Sequence, residues 1–156
     1  MHPVLRLYED VLASAEKIEL RLPPVPRFIF VVHGSAAIGE ETVREGEAWQ
    51  GDTAVKIKPG ATGVTCWRWE LARGDQGSTT ANAPGMVTHE KLTAFLETLP
   101  KGDLLMRGDS VAFPPGGCAY LHRHQGPGIR CLIEGGIRID THGRSTSFGP
   151  GGAWYE

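Results

Sequence analysis

The alternation of apolar and polar positions predicts a chain built mostly of short strands. Ile18, Leu20 and Leu22 alternate with Glu19 and Arg21, and a period of two places the apolar side chains on one face of a strand. Turn residues rich in glycine and proline separate similar signals further along the chain. These signals predict strands at 28–32, 36–38, 53–57, 64–71, 104–106, 110–113, 120–124, 129–133, 137–140 and 145–148.

Two segments follow a helical pattern instead. Residues 88–99 begin with Thr88, a residue favoured at a helix N-cap. They also place four apolar residues at the i, i+3, i+4, i+7 spacing of one helix face: Leu92, Phe95, Leu96 and Leu99. Residues 4–17 are compatible with a short helix too, and the polar, glycine-rich residues 73–85 indicate a linker. We therefore predict an all-β fold with one short helix near residues 88–99.

The composition supports this fold class and excludes some functions. Glycine (21) and proline (11) make up about a fifth of the 156 residues, which a helical bundle does not tolerate. Hydrophobic residues reach 40%, enough to bury a core. Sixteen Lys and Arg against eighteen Asp and Glu give a net charge of -2, so the basic surface of a nucleic-acid-binding protein is not expected.

The cysteines and the apolar segments indicate a cytoplasmic protein. Cys66, Cys118 and Cys131 are odd in number and widely spaced, which favours ordinary thiols in a reducing compartment over a disulfide framework. The first residues lack the apolar region of a secretory signal, and no stretch approaches the roughly 18 apolar residues of a membrane span. We expect no membrane partner.

A short internal repeat relates the two halves of the chain. Residues 30–34 (FVVHG) correspond to 132–135 (LIEG), and residues 46–49 (GEAW) correspond to 151–154 (GGAW). The glycines of the two segments are 12 residues apart in the first copy and 16 apart in the second. The four additional residues are expected in a hairpin around 141–144.

His122 and His124 carry the clearest chemical signal. In a strand, residues two apart point to the same face, so both imidazoles would project together and Arg123 away from them. Paired imidazoles suit a divalent first-row transition metal. The plainer alternative is that both histidines are polar residues on an exposed strand face.

Residues 114–135 (PPGGCAYLHRHQGPGIRCLIEG) resemble the first motif of the cupin superfamily. That motif is Gly, five residues, His-x-His, three or four residues, Glu, six residues, Gly, and it is matched here by Gly116, His122, His124 and Gly135. The resemblance extends to residues 151–154, where cupins begin their second motif. It implies a double-stranded β-helix barrel in which His122 and His124 hold a divalent metal, whether zinc, nickel, iron, manganese or copper.

The chain departs from the cupin pattern at two ligand positions. Gly128 stands where the motif has its glutamate, and no stretch like that of the second-motif histidine precedes Glu156. In the first copy, an offset of 101 residues places Arg21-Leu22-Pro23 on His122-Arg123-His124. The resemblance therefore implies a bicupin-like chain with only one metal-binding half.

This interpretation divides the chain into three parts. Residues 1–75 form a metal-free cupin-like half, residues 76–102 a linker and helix, and residues 103–156 the half that carries the histidine pair. A second half without counterparts of residues 53–71 would leave strand edges exposed, and we expect a second copy of the chain to cover them in a homodimer.

Arg130 and Tyr120 are candidate pocket residues. If residue 128 faces inward, so does Arg130, whose guanidinium would hold a carboxylate. Tyr120 lies two residues before His122 and should share its face. The alternative for Arg130 is an outward, solvated strand residue. No catalytic residue can be named, because the chain has no nucleophile elbow, phosphate-binding glycine loop or His-Glu-x-x-His sequence.

Three functions remain open at this point. The first is a metal-dependent enzyme of the dioxygenase, decarboxylase or isomerase type that acts on a small organic acid or carbonyl compound. The second is a protein that binds or senses a small molecule without turnover, which the missing glutamate favours. The third is a structural module that forms oligomers. A fold shared by many functions does not choose among them.

Overall fold

The computed structural model describes residues 2–74, 76–77 and 79–156, and within them it has twelve strands and no helix. Every strand pairs with its neighbour in the antiparallel sense. The strands are β1 (Pro3–Leu12), β2 (Leu20–Leu22), β3 (Arg27–Ile38), β4 (Glu41–Arg44), β5 (Ala48–Gly51), β6 (Val55–Arg73), β7 (Asn82–Ala83), β8 (Met86–Phe95), β9 (Ile129–Cys131), β10 (Ile137–Thr141), β11 (Arg144–Phe148) and β12 (Ala153–Tyr155).

The first eight strands form one open sheet, and the last four form two separate pairs. The order in the large sheet is β4-β3-β6-β1-β8-β7, with β2 on β6 and β5 on β3. The small pairs are β9 with β12 and β10 with β11. The all-β prediction is confirmed at this level, although the strands among the described residues do not close into a barrel. No helix of those residues is long and apolar enough to cross a membrane.

Two apolar clusters hold the sheet and the second half together. The first lies among β1 to β6 and contains fully buried side chains such as Ile29, Ile38 and Ile57. Burial of each such side chain contributes about 1.5–3 kcal/mol relative to exposure. The second cluster combines Trp67 of the large sheet with Ile129 of β9. The large sheet therefore packs against β9, the strand that follows the strandless residues 96–128.

The helix predicted near residues 88–99 is wrong, because residues 88–95 belong to β8, which pairs with β1. Burial alternates at its end, with Ala94 buried and Phe95 74% exposed. The Thr88 hydroxyl donates to the Asp10 carboxylate of β1 at 2.7 Å. The apolar residues of this segment fit both the helix period of 3.6 residues and the strand period of two. Pairing with the edge of β1 stabilises the strand. Likewise, β1 replaces the helix considered for residues 4–17.

Strand prediction succeeds where a partner strand exists. Residues 55–57 of the first predicted strand and all of the second, at 64–71, lie in the single long strand β6, which continues past Pro59. By contrast, residues 96–128, all of which the structure describes, contain no strand. The predicted strands at 104–106, 110–113 and 120–124 are therefore wrong. Their sequences alternate, but nothing in the described chain pairs with them to satisfy the backbone.

The internal repeat has the same backbone arrangement in both copies. The Gly46 N–H donates to the Val31 carbonyl at 2.9 Å, and the Gly151 N–H donates to the Leu132 carbonyl at 2.7 Å. The φ angles of these two glycines are 80° and 78°, in the left-handed region that glycine adopts without a steric penalty. The β10–β11 hairpin, residues 137–148, is two residues longer than its counterpart, residues 35–44. Two of the four additional residues of the second copy therefore lie in the hairpin, and the other two lie just before and just after it.

Candidate functional site

His122 and His124 lie together on a loop rather than on a strand. Their Nε2 atoms are 3.2 Å apart, and the ring centroids are separated by 4.8 Å with the planes at 83°. The backbone predicted for this segment is therefore wrong, but the two imidazoles do meet. The contact between the two rings therefore does not depend on the alternation of side chains along a strand.

The Tyr120 backbone orients one of the imidazoles. His122 Nδ1 donates to the Tyr120 carbonyl at 2.6 Å, since a carbonyl oxygen can only accept. Nε2 of His122 faces the other ring and is hydrogen-bonded to Nε2 of His124 at 3.2 Å. The Tyr120 side chain itself is 88% exposed, so Tyr120 reaches the histidine pair through its main chain.

The spacing of the two Nε2 atoms fits a shared divalent metal ion. Metal–nitrogen bonds of about 2.0–2.1 Å to two atoms at this separation enclose an angle of roughly 100°, between the octahedral and tetrahedral values. Imidazole nitrogen suits zinc, copper, iron and nickel. In the described part of the chain, no group of three or more His, Cys, Asp or Glu side chains is already arranged around one ion.

Glu156 is a site residue that the sequence motif does not identify. Its Oε2 lies at ion-pair distance from two nitrogens, 2.8 Å from His124 Nε2 and 3.0 Å from Arg130 Nε. Its Oε1 accepts from Trp154 Nε1 at 3.0 Å. The carboxylate thus lies beside the histidine pair with one hydrogen bond, from Trp154, and two close nitrogens, and the side chain is 23% exposed.

The internal repeat contains the signal that locates Glu156. In the first copy, Arg27 of β3 pairs with Gly51 of β5. The repeat offsets carry this pair onto Gly128 and Glu156. The structure has this pairing, because the Gly128 N–H donates to the Glu156 carbonyl at 2.7 Å and the Glu156 N–H donates back at 3.0 Å.

Arg130 lies beside the position that lacks a side chain. A Cβ atom built on Gly128 would lie 2.2 Å from Arg130 Nη1, so the guanidinium uses space that a side chain at residue 128 would need. Arg130 side-chain exposure is 30%. The guanidinium of Arg130 is linked to His124 through Glu156, with which both residues form ion-pair contacts.

The cysteines do not contribute to this cluster. Burial raises the pKa of Cys131 to about 11, and its Sγ donates to the Gly151 carbonyl at 3.5 Å. Burial also raises the pKa of Cys66. Cys118 is exposed, and none of the three forms a disulfide. Thiolate is the form that binds metals, so the buried thiols are poor ligand candidates.

The first half contains a buried ionic cluster of Asp10, Arg27, Arg68 and Glu70, each at most 1% exposed. Arg68 donates to Asp10 from Nε at 2.7 Å and to Glu70 from Nη1 at 2.6 Å, while Arg27 Nε donates to Glu70 at 2.8 Å. Burial opposes the Arg68 charge, but the hydrogen bonds and charges of Asp10 and Glu70 outweigh it and raise the pKa of Arg68. Burial lowers the pKa of Arg27.

A hydrogen bond connects the large sheet to the strand beside the site. Trp69 of β6 donates from Nε1 to the Ile129 carbonyl of β9 at 2.9 Å, next to Arg130. Trp69 packs edge-on against Phe28 of β3 at a centroid distance of 5.8 Å. The neighbouring Arg68 belongs to the buried ionic cluster, so β6 carries both this cluster and the hydrogen bond to β9.

Comparison of the chain with family models, with curated proteins and with solved structures finds no match.

Proposed function

We propose that this chain is a metal-binding protein of the cupin type, in which His122 and His124 hold one divalent transition metal. The observation that carries the proposal is the 3.2 Å separation of the two Nε2 atoms. The hydrogen bond from His122 Nδ1 to the Tyr120 carbonyl supports it, because such a bond favours the tautomer with the lone pair on Nε2, the atom that would bind the metal.

The proposed ligand is a small organic acid or carbonyl compound. Two protein nitrogens leave several coordination positions open for water or for ligand oxygen atoms. A bound divalent metal supplies Lewis-acid polarisation of such an oxygen, which is the chemistry shared by the dioxygenase, decarboxylase and isomerase classes. Arg130 supports an acidic ligand, because its guanidinium already pairs with a carboxylate beside His124.

Elemental analysis of the protein purified without chelator tests the metal proposal. We expect about one equivalent of a first-row transition metal per chain, since the site offers a single pair of imidazoles. Dialysis against a chelator should remove the metal without unfolding the sheet, because the apolar clusters contain neither histidine. Protein that carries no transition metal, and takes up none when Co²⁺ or Zn²⁺ is added, would contradict the proposal.

We also propose a homodimer in which a second copy covers the apolar side chains of the second half. Leu105, Val111 and Leu121 are 77%, 72% and 104% exposed, and in the described chain β9 and β12 pair only with each other. Exposed apolar side chains and unpaired strand edges favour association. Light scattering at micromolar concentration should give twice the chain mass of 16.9 kDa. A mass of one chain would exclude the dimer.

A further inference from the structure

We propose that Arg21, Lys56 and Lys58 form a second binding site, which takes the dianionic phosphate group of a small soluble molecule. The three cations lie on the large sheet, where β2 and β3 both pair with β6. The proposal concerns the first half of the chain and does not depend on the metal proposed at His122 and His124.

The strand register places the three cations on one face of the sheet. Arg21 of β2 pairs with Lys56 of β6, and Lys58 follows two residues later on β6. Directly opposed residues, and residues two apart on one strand, share a face. Ile57, which points to the other face, is fully buried. The cations therefore occupy the solvent face, and the side chains of Arg21 and Lys56 are 73% and 55% exposed.

A groove beside these side chains has the size of a small-molecule site. Its volume is about 550 Å³, within the usual range of roughly 300–1,000 Å³ for ligand pockets. Among the described residues, the lining of this groove includes all three cations and no acid. Three further lining residues are small, which leaves room for a ligand close to the cations: Ala37, Gly39 and Ala54.

Glu19 neutralises only part of the positive charge. Its carboxylate lies 3.4 Å from Arg21 Nη2 and 3.4 Å from Lys56 Nζ. Burial alone would raise the pKa of Glu19, but the charges of Lys56, Arg21 and Lys58 together outweigh it and lower this pKa. One carboxylate against three cations leaves the cluster with two uncompensated positive charges.

A phosphate monoester matches this remaining charge. Such a group carries about −1.5 to −2 charges at pH 7 and three strong acceptor oxygens. Arginine binds phosphate through two parallel N–H bonds, and lysine binds it as a point charge. A second carboxylate, with a single negative charge, would compensate only one of the two charges that Glu19 leaves.

Titration of the isotope-labelled full chain with methyl phosphate, followed by NMR spectroscopy, tests this proposal. We expect a saturable shift of the backbone amide resonances of residues 21, 56 and 58. Methyl sulfate has the same shape but only one negative charge, and it should bind about ten-fold more weakly. Equal affinity for the two compounds, or no shift of these resonances with methyl phosphate, would overturn the proposal.

The variant Lys56→Gln/Lys58→Gln removes two of the cations from exposed positions, so the sheet should remain folded. Its affinity for methyl phosphate should fall by about ten-fold or more. The matched control Lys101→Gln/Arg138→Gln removes two cations from exposed positions outside the large sheet and should bind like the parent. Parent-like affinity in the first variant, or an equal loss in both, would contradict the site.

Vesicles that contain phosphatidic acid test a membrane source of the same phosphate chemistry. The full chain should stay in the supernatant when these vesicles are sedimented, because the proposed ligand is a small soluble molecule. Sedimentation with the vesicles that Lys56→Gln/Lys58→Gln abolishes would assign the groove to a lipid headgroup and overturn the proposed ligand.

Discussion

Replacing both His122 and His124 with alanine is expected to abolish metal uptake and to leave the sheet folded. The two Nε2 atoms lie 3.2 Å apart and are the nitrogen ligands of the proposed ion. Without them the proposed site has no nitrogen ligand, and Co²⁺ affinity should fall by on the order of a hundred-fold or more. Both histidines lie on a loop outside the apolar clusters, so unfolding by urea should keep its midpoint.

The control for this prediction removes two imidazoles elsewhere. His33 and His89 are exposed and lie on the large sheet, so the double variant His33→Ala/His89→Ala should bind Co²⁺ like the parent. Equal binding by the parent and by His122→Ala/His124→Ala would contradict the proposed site. Equal loss in both double variants would show that histidines bind the metal nonspecifically.

Arg68→Met is expected to cause the largest loss of stability in the first half. The substitution keeps an unbranched chain of similar length but removes the bonds to Asp10 and Glu70 at 2.7 Å and 2.6 Å. Two carboxylates then remain buried with only Arg27 to balance them. Breaking a buried ion pair from one side costs about 3–5 kcal/mol of unfolding free energy, which urea denaturation followed by tryptophan fluorescence measures.

Two further variants separate charge balance from packing. Asp10→Asn added to Arg68→Met leaves the Arg27–Glu70 pair balanced, so it should recover part of the lost stability. Arg21→Met removes an exposed arginine, whose side chain is 73% exposed, and should change the unfolding free energy by less than about 0.5 kcal/mol. Equal effects of Arg68→Met and Arg21→Met would contradict a structural role for the cluster.

The sequence predicts the strands of this protein where alternation and a partner strand coincide. The β10–β11 hairpin follows from its alternation, and two of the four extra residues of the second copy lie in it. Residues 88–99 show the limit of periodicity, because their apolar spacing fits a helix as well as a strand. Pairing with β1 favours the strand over the helix. The spacing of apolar residues within the segment does not report this long-range contact.

The site is predicted in part for a similar reason. The His-x-His pattern identifies His122 and His124, but the strand predicted for residues 120–124 does not form. Glu156 is far from the motif in sequence and becomes visible only when the β3–β5 register is carried onto the second copy. Side chains that a sheet brings together can be found from sequence only when the pairing register is known.

Pulsed electron paramagnetic resonance of the full chain loaded with one equivalent of Cu²⁺ tests the metal site most directly. The coupling of the copper electron to the remote imidazole nitrogens counts the histidine ligands. The proposed site predicts two imidazoles in the parent and none in His122→Ala/His124→Ala. A parent spectrum without imidazole coupling, or one that the double substitution leaves unchanged, would contradict the assignment of His122 and His124 as the metal ligands.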